Sequence, residues 1–417
     1  MRSRLHLSAA TAALLLANAA SAQELTVWDW KSGDPAAAGY VAAAKADFEA
    51  AHPGVTVNFV MQPHDQYYTL LGTALSAGSG PDVFLVHGGT QAKSRGDALA
   101  DLAAQSAGLA GLGDFTGADG AVLALPVTIQ GFAVYFNKTR YADAGLDPAN
   151  PPQSWEALKE ACAAIIAKGE VPCFAMGNKE GFAAEFFVSA LAASMLTADE
   201  QAAFAQGKLA WSSPKMKAVL QAWVDTQSWG WYAEGANSTP KFMDEYEMFM
   251  RGDAANTIGL LSDVAHWKQF DDMLGAENLG AFRHPAPDAA THAPDGGPML
   301  PLAGGIGYGV NKASANAALA TELVQALAAP GPIAIFAAEA GILPANPAVD
   351  TAGLASPTLT AILPWTATAA APMAHANSSP EELEELHRQS QLLLNGETTV
   401  DEAAARLDEV QAKAHAG

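Results

Sequence analysis

The sequence predicts an α/β protein of two lobes, each a sheet flanked by helices, joined by hinge crossings. Three observations predict it. Residues 24–86 alternate strand and helix patterns, and residues 126–136 form an extended run that leaves one such unit and feeds the helices of another. The third is size: 417 residues, 50% of them hydrophobic, suffice for two sizeable cores.

Residues 24–30 (ELTVWDW) read as the first strand, and 35–51 as a helix with Tyr40, Val41, Ala44 and Phe48 on its apolar side. His52-Pro53-Gly54 turns the chain into a second strand, 55–60. A helix capped by Asp65 runs to Ala77, Gly78 and Gly80 break it, and PDVFLV at 81–86 is the third strand. This β-α-β-α-β order predicts a doubly wound sheet. Ligands collect beyond the carboxyl ends of such strands, which here means Trp30, Gln62 and His87.

The run 126–136 is apolar, β-branched and aromatic, interrupted by Gln130 and Gly131, and is expected to bend at the glycine. Asn137-Lys138 opens a short helix that ends at Gly145. After the turn chemistry of 147–152, Ser154 caps a helix from Trp155, with Glu156 and Glu160 near its positive end. Segments 173–176, 185–194, 215–226, 242–251 and 256–261 supply the rest of the second lobe. The Pro/Gly/Ala-rich stretch 285–301 reads as a crossing, and 302–312 as the return to the first lobe, with Ser314 capping the next helix. The expected division is a signal peptide at 1–22, a first lobe of 23–128 with 302–350, and a second of 129–284 with 360–417. Residues 285–301 and 351–359 are the linkers.

Arg2 and Arg4, an apolar run from Leu5 to Ala20 and Ala20-Ser21-Ala22 make a secretory signal, with cleavage expected before Gln23 and no cysteine there for a lipid anchor. The formal net charge is −22, and the signal segment holds two arginines and no acid, so the remainder is more negative still. Such acidity argues against nucleic acid and anionic membranes as partners, and makes polyanionic ligands a poor fit. Cys162 and Cys173 are the only cysteines. A disulfide between them is expected in an oxidising compartment. The alternatives are two buried thiols, or metal ligation, which lacks neighbouring ligands.

The run P…Y-x-N-K…AGL…P…SWE-L across 126–158, adapted here as YFNK, AGL and SWEAL, resembles the carbohydrate-binding solute-binding proteins of ABC importers, the family that includes maltose-binding protein. LTVWDW, FEAAHPGVTV, YYTLLGTALSAGSGPDV, MFMRGDAANTIGLL, GGIGYGVNKAS, AGILPANPAV and NGETTVDEAAARLDEVQAKA follow in the family's order. Two positions depart from its pattern: Thr257 stands where a methionine is usual, and Leu261 where a tryptophan is. The resemblance implies a periplasmic-binding-protein type II-like fold, a sugar or polyol ligand between the lobes, an ABC permease partner, a monomer and no cofactor.

A sugar site needs aromatic faces against the ring's C–H surfaces and polar side chains on its hydroxyls. Trp30 and His87 are candidates at strand ends, and Gln130 at the hinge. Asp65 is expected chiefly to cap its helix, in a loop that borders the cleft in the resembled family. Asn178 and Phe182 follow CFAMG, where that family places a polar residue and a tryptophan. Trp229 and Trp231 cluster in a glycine-bearing loop, Asp263 and Trp267 lie past a strand end, and Gly304 and Gly305 could offer bare N–H groups. Trp28, Trp155, Trp211 and Trp223 are expected in the core.

Enzymatic signatures are thin. The carboxylate pairs Glu245/Glu247 and Glu381/Glu382 read as solvated helix faces, and Walker A, G-x-S-x-G and H-E-x-x-H motifs are missing. A secreted glycosidase is therefore the lesser reading. Tyr67-Tyr68 resembles the tyrosine pair of ferric-ion binders, but packing at the start of a helix is the expected role. A metal ion, polyamine or phosphorylated polyol is the alternative cargo on the same fold.

Overall fold

The computed structural model describes residues 23–415 apart from 65, 240, 241, 262–265, 352, 353 and 355. The expected signal peptide, Asp65 and Asp263 lie outside the described residues. The strands are β1 Gln23–Asp29, β2 Val55–Met61, β3 Val83–His87, β4 Leu125–Pro126, β5 Thr128–Asn137, β6 Asn256–Leu261, β7 Leu279–Phe282, β8 Leu300–Gly304, β9 Ile306–Val310, β10 Leu343–Pro344 and β11 Ala370–Pro372.

The first sheet has the order β2-β1-β3-β9-β4. Its first three strands are parallel, as the alternating pattern predicts, while β9 runs antiparallel to both β3 and β4. Helices Ala38–Ala51, Ala317–Leu327 and Pro330–Ala340 pack on it, burying Tyr40, Phe48, Leu323 and Phe336. The second sheet runs β10-β5-β8-β11, with β6 and β7 also paired to β5. β5 is therefore the spine of the second lobe, which explains its length and its nearly continuous burial.

Three crossings lie side by side. Val127, between β4 and β5, donates to Ile306 O at 2.8 Å and accepts from Ala345 N at 3.0 Å, and Gly305, between β8 and β9, donates to Thr128 O at 2.8 Å. This corrects the expected boundaries. Leu302 still pairs with Gly131 in the second sheet, so the chain returns to the first lobe at Gly305. Leu343 already pairs with Ile129 of β5, and helix Pro357–Thr368 buries Leu359 and Ile362 in the second lobe, so 343–344 and 357–359 belong there too. Ser314 does not cap a helix directly; Asn316 is the cap residue of Ala317–Leu327, and Ser314 Oγ accepts from its N–H at 2.9 Å.

Local signals hold elsewhere. Ser154 Oγ accepts from Ala157 N at 3.2 Å and opens helix Trp155–Lys168, whose Trp155, Leu158, Cys162 and Ile165 face the core at helical spacing. Cys162 and Cys173 form a disulfide that ties this helix to the segment entering the sheet. Helix Phe182–Met195 is apolar on every face, and all but its first residue are buried, so it runs through the second lobe's interior. Its one acidic residue, Glu185, is 5% exposed.

Candidate functional site

The lobes face each other across a cleft of about 410 Å³. β3 delivers His87 to one wall, followed by Gly88, Thr90 and Gln91. β5 supplies the floor with Gln130 and Phe132. Helix Phe182–Met195 presents Phe182, Glu185 and Phe186 from the opposite wall, which Met373, His375 and Ser378 extend.

Each wall holds one histidine, and both are held in the same way. The His87 N–H donates to Tyr68 Oη at 3.0 Å, and the same hydroxyl lies 2.8 Å from His87 Nδ1. Across the cleft the His375 N–H donates to Ser189 Oγ at 3.3 Å, and that hydroxyl lies 2.7 Å from His375 Nδ1. A hydroxyl has a single proton to give. The hydroxyl therefore anchors the Nδ1 edge of each ring, through a bond whose direction follows the ring's tautomer. Burial holds the His375 pKa below its ordinary value, against the opposing pull of Glu185, which keeps the ring neutral near pH 7.

Glu185 lies between two imidazoles. His387 Nε2 hydrogen-bonds one carboxylate oxygen, and His375 Nε2 stands 3.6 Å from the other, longer than a good hydrogen bond. An acidic acceptor is thus fixed in place in the cleft lining. Phe132 and Phe186 stack at 4.3 Å beneath it, so the polar groups stand on an apolar floor.

On the first lobe, Trp30 lies against the His87 ring, and the guanidinium of Arg95 sits 4.4 Å over the Tyr68 ring. Tyr67 is buried and its hydroxyl donates to Leu85 O at 2.7 Å, so packing is its role, as expected. Among the described residues no group of three His, Cys, Asp or Glu side chains is arranged to hold a metal.

Of the residues singled out from sequence, Trp30, His87, Gln130 and Phe182 come together here. The others do not. Asn178 is fully buried, with Nδ2 donating to Asn237 and Ser390 at 3.1 and 3.2 Å, so it braces helix Pro380–Asn395. Trp231 stacks on Phe174 at 5.4 Å inside the second lobe. Trp229 is half-buried against Trp155 and carries Lys159 4.5 Å over its ring. Trp267 is buried and donates Nε1–H to Gly341 O at 2.7 Å. Gly304 and Gly305 have no free N–H: they donate to Asp114 Oδ2 at 2.6 Å and to Thr128 O at 2.8 Å. Sequence reasoning missed Glu185 and His375 and took Tyr68 as packing alone. A lone carboxylate within FAAEFFVSALAASM was the available signal, since an unpaired charge is not buried without a partner.

Behind Phe186 lies a small void of about 10 Å³, with room for roughly one water. Glu245 and His284 line it. Burial pushes the Glu245 carboxyl up to about 8, although Gly177 N–H and Thr257 Oγ1 bond it at 3.0 and 3.3 Å. Burial likewise takes His284 down to about 4, its Nε2 having no hydrogen-bond partner.

A family model for bacterial extracellular solute-binding proteins matches residues 30–333. The chain belongs to this family. A chitin oligosaccharide binding protein superposes on this solute-binding protein with a TM-score of 0.78 at 22% identity, covering 95% of this chain and 100% of that one. The cyclic alpha-maltosyl-1,6-maltose binding protein of Arthrobacter globiformis gives 0.72 at 23% identity, with 94% and 99% covered. These likenesses establish the fold. By sequence, a binding protein of Brucella abortus is 33% identical over 175 residues, 37% of this chain. The sn-glycerol-3-phosphate-binding periplasmic protein UgpB of Yersinia enterocolitica is 26% identical over 177 residues, 41% of this chain. The chain spans 39% of the length of each of these two relatives. Family and relatives imply a periplasmic or extracellular location.

Proposed function

We propose that this protein is the periplasmic substrate-binding subunit of an ABC importer, exported by a signal at 1–22, and that its cargo is a neutral sugar or polyol. The observation that carries the reading is the chemistry of the cleft. Phe132, Phe182 and Phe186 offer apolar faces, Gln91 and Gln130 offer amides, two histidines stand on opposite walls, and Glu185 is the one charged group. No lysine or arginine is among the described lining residues. Hydroxyl groups answer such a set, both as donors to Glu185 and as acceptors from N–H groups. The solved relatives named for chitin oligosaccharide and cyclic maltosyl-maltose support it.

The mechanism is binding without turnover. A ligand that touches His87 on one lobe and Glu185 on the other is bound better when the lobes approach, and this differential affinity drives hinge closure. The protein acts as a monomer that presents its closed form to the permease.

A phosphorylated polyol is the second reading, favoured by the relatives named for sn-glycerol-3-phosphate. Against it, the carboxylate of Glu185 repels an anion in this cleft, whose described lining holds no lysine or arginine. A thermal-shift panel of sugars, polyols, sn-glycerol-3-phosphate, polyamines and metal ions on ligand-stripped protein separates the cases. A ligand at 100 times its Kd adds about 2.7 kcal/mol of stability. A shift with a neutral sugar or polyol supports the proposal; a shift with the phosphate or a cation alone overturns it.

A further inference from the structure

The loop 88–93 after β3 does not stop at the rim of its own lobe. It crosses the groove and rests on segment Ala374–Asn377 of the second lobe. Thr90 Oγ1 donates to Ser378 O at 3.0 Å, and Lys93 Nζ donates to Asn377 Oδ1 at 2.9 Å. Between them the backbones nearly touch: a Cβ on Gly89 would stand 2.1 Å from Ala376 O. With φ at +73°, position 89 is also one where only glycine sits without strain.

This seam divides the interlobe groove. On one side lies the cleft with His87, Gln130 and Glu185. On the other lies a second cavity of about 470 Å³, walled by Lys93, Asp114 and alanines such as Ala202, Ala205 and Ala371. The second cavity has no aromatic platform among its described lining residues, and Asn377 and Lys93 stand between it and the first.

We propose that the seam is a chain-length stop: the cleft takes a mono- or disaccharide whose terminal unit abuts Gly89 and Ala376. Further sugar units find no subsite in line, because the groove beyond is walled off. The inference rests on the sugar reading above, and the test keeps the two apart.

Calorimetry on the ligand-stripped protein compares glucose, maltose and maltotetraose; xylose, xylobiose and xylotetraose; and N-acetylglucosamine, chitobiose and chitotetraose. In the series that binds, the tetrasaccharide is expected to bind no more than threefold tighter than the disaccharide. A larger gain overturns the stop while leaving the sugar reading intact. If no sugar binds, the sugar reading fails and the stop with it. Gly89→Ala, whose methyl would have to push the loop off Ala376, or, should that variant not fold, Thr90→Val with Lys93→Ala and Asn377→Ala, which removes the side-chain bonds across the seam, is expected to part the seam and join the two cavities. The preference is then expected to move at least threefold toward the tetrasaccharide, and an unchanged ratio overturns the role of the seam.

Discussion

The indole of Trp30 lies nearly parallel to the imidazole of His87, ring centroids 4.7 Å apart and planes at 21°. Tyr67 meets the same indole edge-on at 4.7 Å. Trp30 thus backs the His87 ring at the cleft wall. Aromatic pairs of this kind contribute about 0.5–1.5 kcal/mol beyond burial. Trp30→Ala is predicted to weaken ligand affinity by up to about tenfold, and Trp30→Phe by less, as read by calorimetry. Equal affinity in all three proteins would mean that His87 needs no backing.

Glu185 gives a prediction whose sign depends on the cargo. A hydrogen bond to a charged group contributes about 1.5–3 kcal/mol. Glu185→Gln keeps the shape and an acceptor oxygen but removes the charge, so affinity for a neutral sugar should fall by about tenfold or more. An anionic ligand would instead bind the variant more tightly. Circular dichroism checks that the fold survives, since His387 still finds an acceptor in the glutamine.

The pair around the buried void predicts a pH dependence of stability. Glu245, raised to about 8 from an ordinary 4.5, stays protonated in the folded state where the unfolded chain has already ionised. The folded state then binds the extra proton, so its contribution falls as pH rises toward 8. His284, lowered to about 4 from 6.5, acts oppositely: it costs stability as pH falls below 6.5. Between about 6.5 and 8 only Glu245 of this pair changes its contribution. Melting temperature should therefore decline over that window more steeply in the native protein than in Glu245→Gln. Parallel curves would place the proton elsewhere.

Why the fold was legible and the site only in part follows from where each signal resides. Strand alternation, the Ser154 and Asn137 caps and the run through Val127 are local, and each survives in the structure. His87 and Gln130 were readable because strand ends and hinges are places set by topology. Trp231 and Trp267 misled because large aromatics signal burial as readily as stacking, and only packing on Phe174 or a bond to Gly341 decides between them. His375 and His387 reach Glu185 from about 190 and 202 positions away, a juxtaposition no spacing rule announces.

The disulfide closes a short loop of sequence separation 11. On chain-entropy grounds such a loop contributes about 3 kcal/mol. Reduction, or Cys162→Ser with Cys173→Ser, is predicted to lower the melting temperature by several degrees while leaving ligand affinity unchanged, because neither cysteine borders the cleft. A loss of affinity at a temperature where the protein remains folded would tie helix Trp155–Lys168 to the site.

The most direct measurement is calorimetric titration of the ligand-stripped protein with mono- and disaccharides, and separately with sn-glycerol-3-phosphate, at low and high salt. A neutral sugar bound between His87 and Glu185 predicts saturable binding by at least one sugar, with a Kd that salt leaves unchanged. Saturable binding of the phosphate alone, weakening as salt rises, would contradict it.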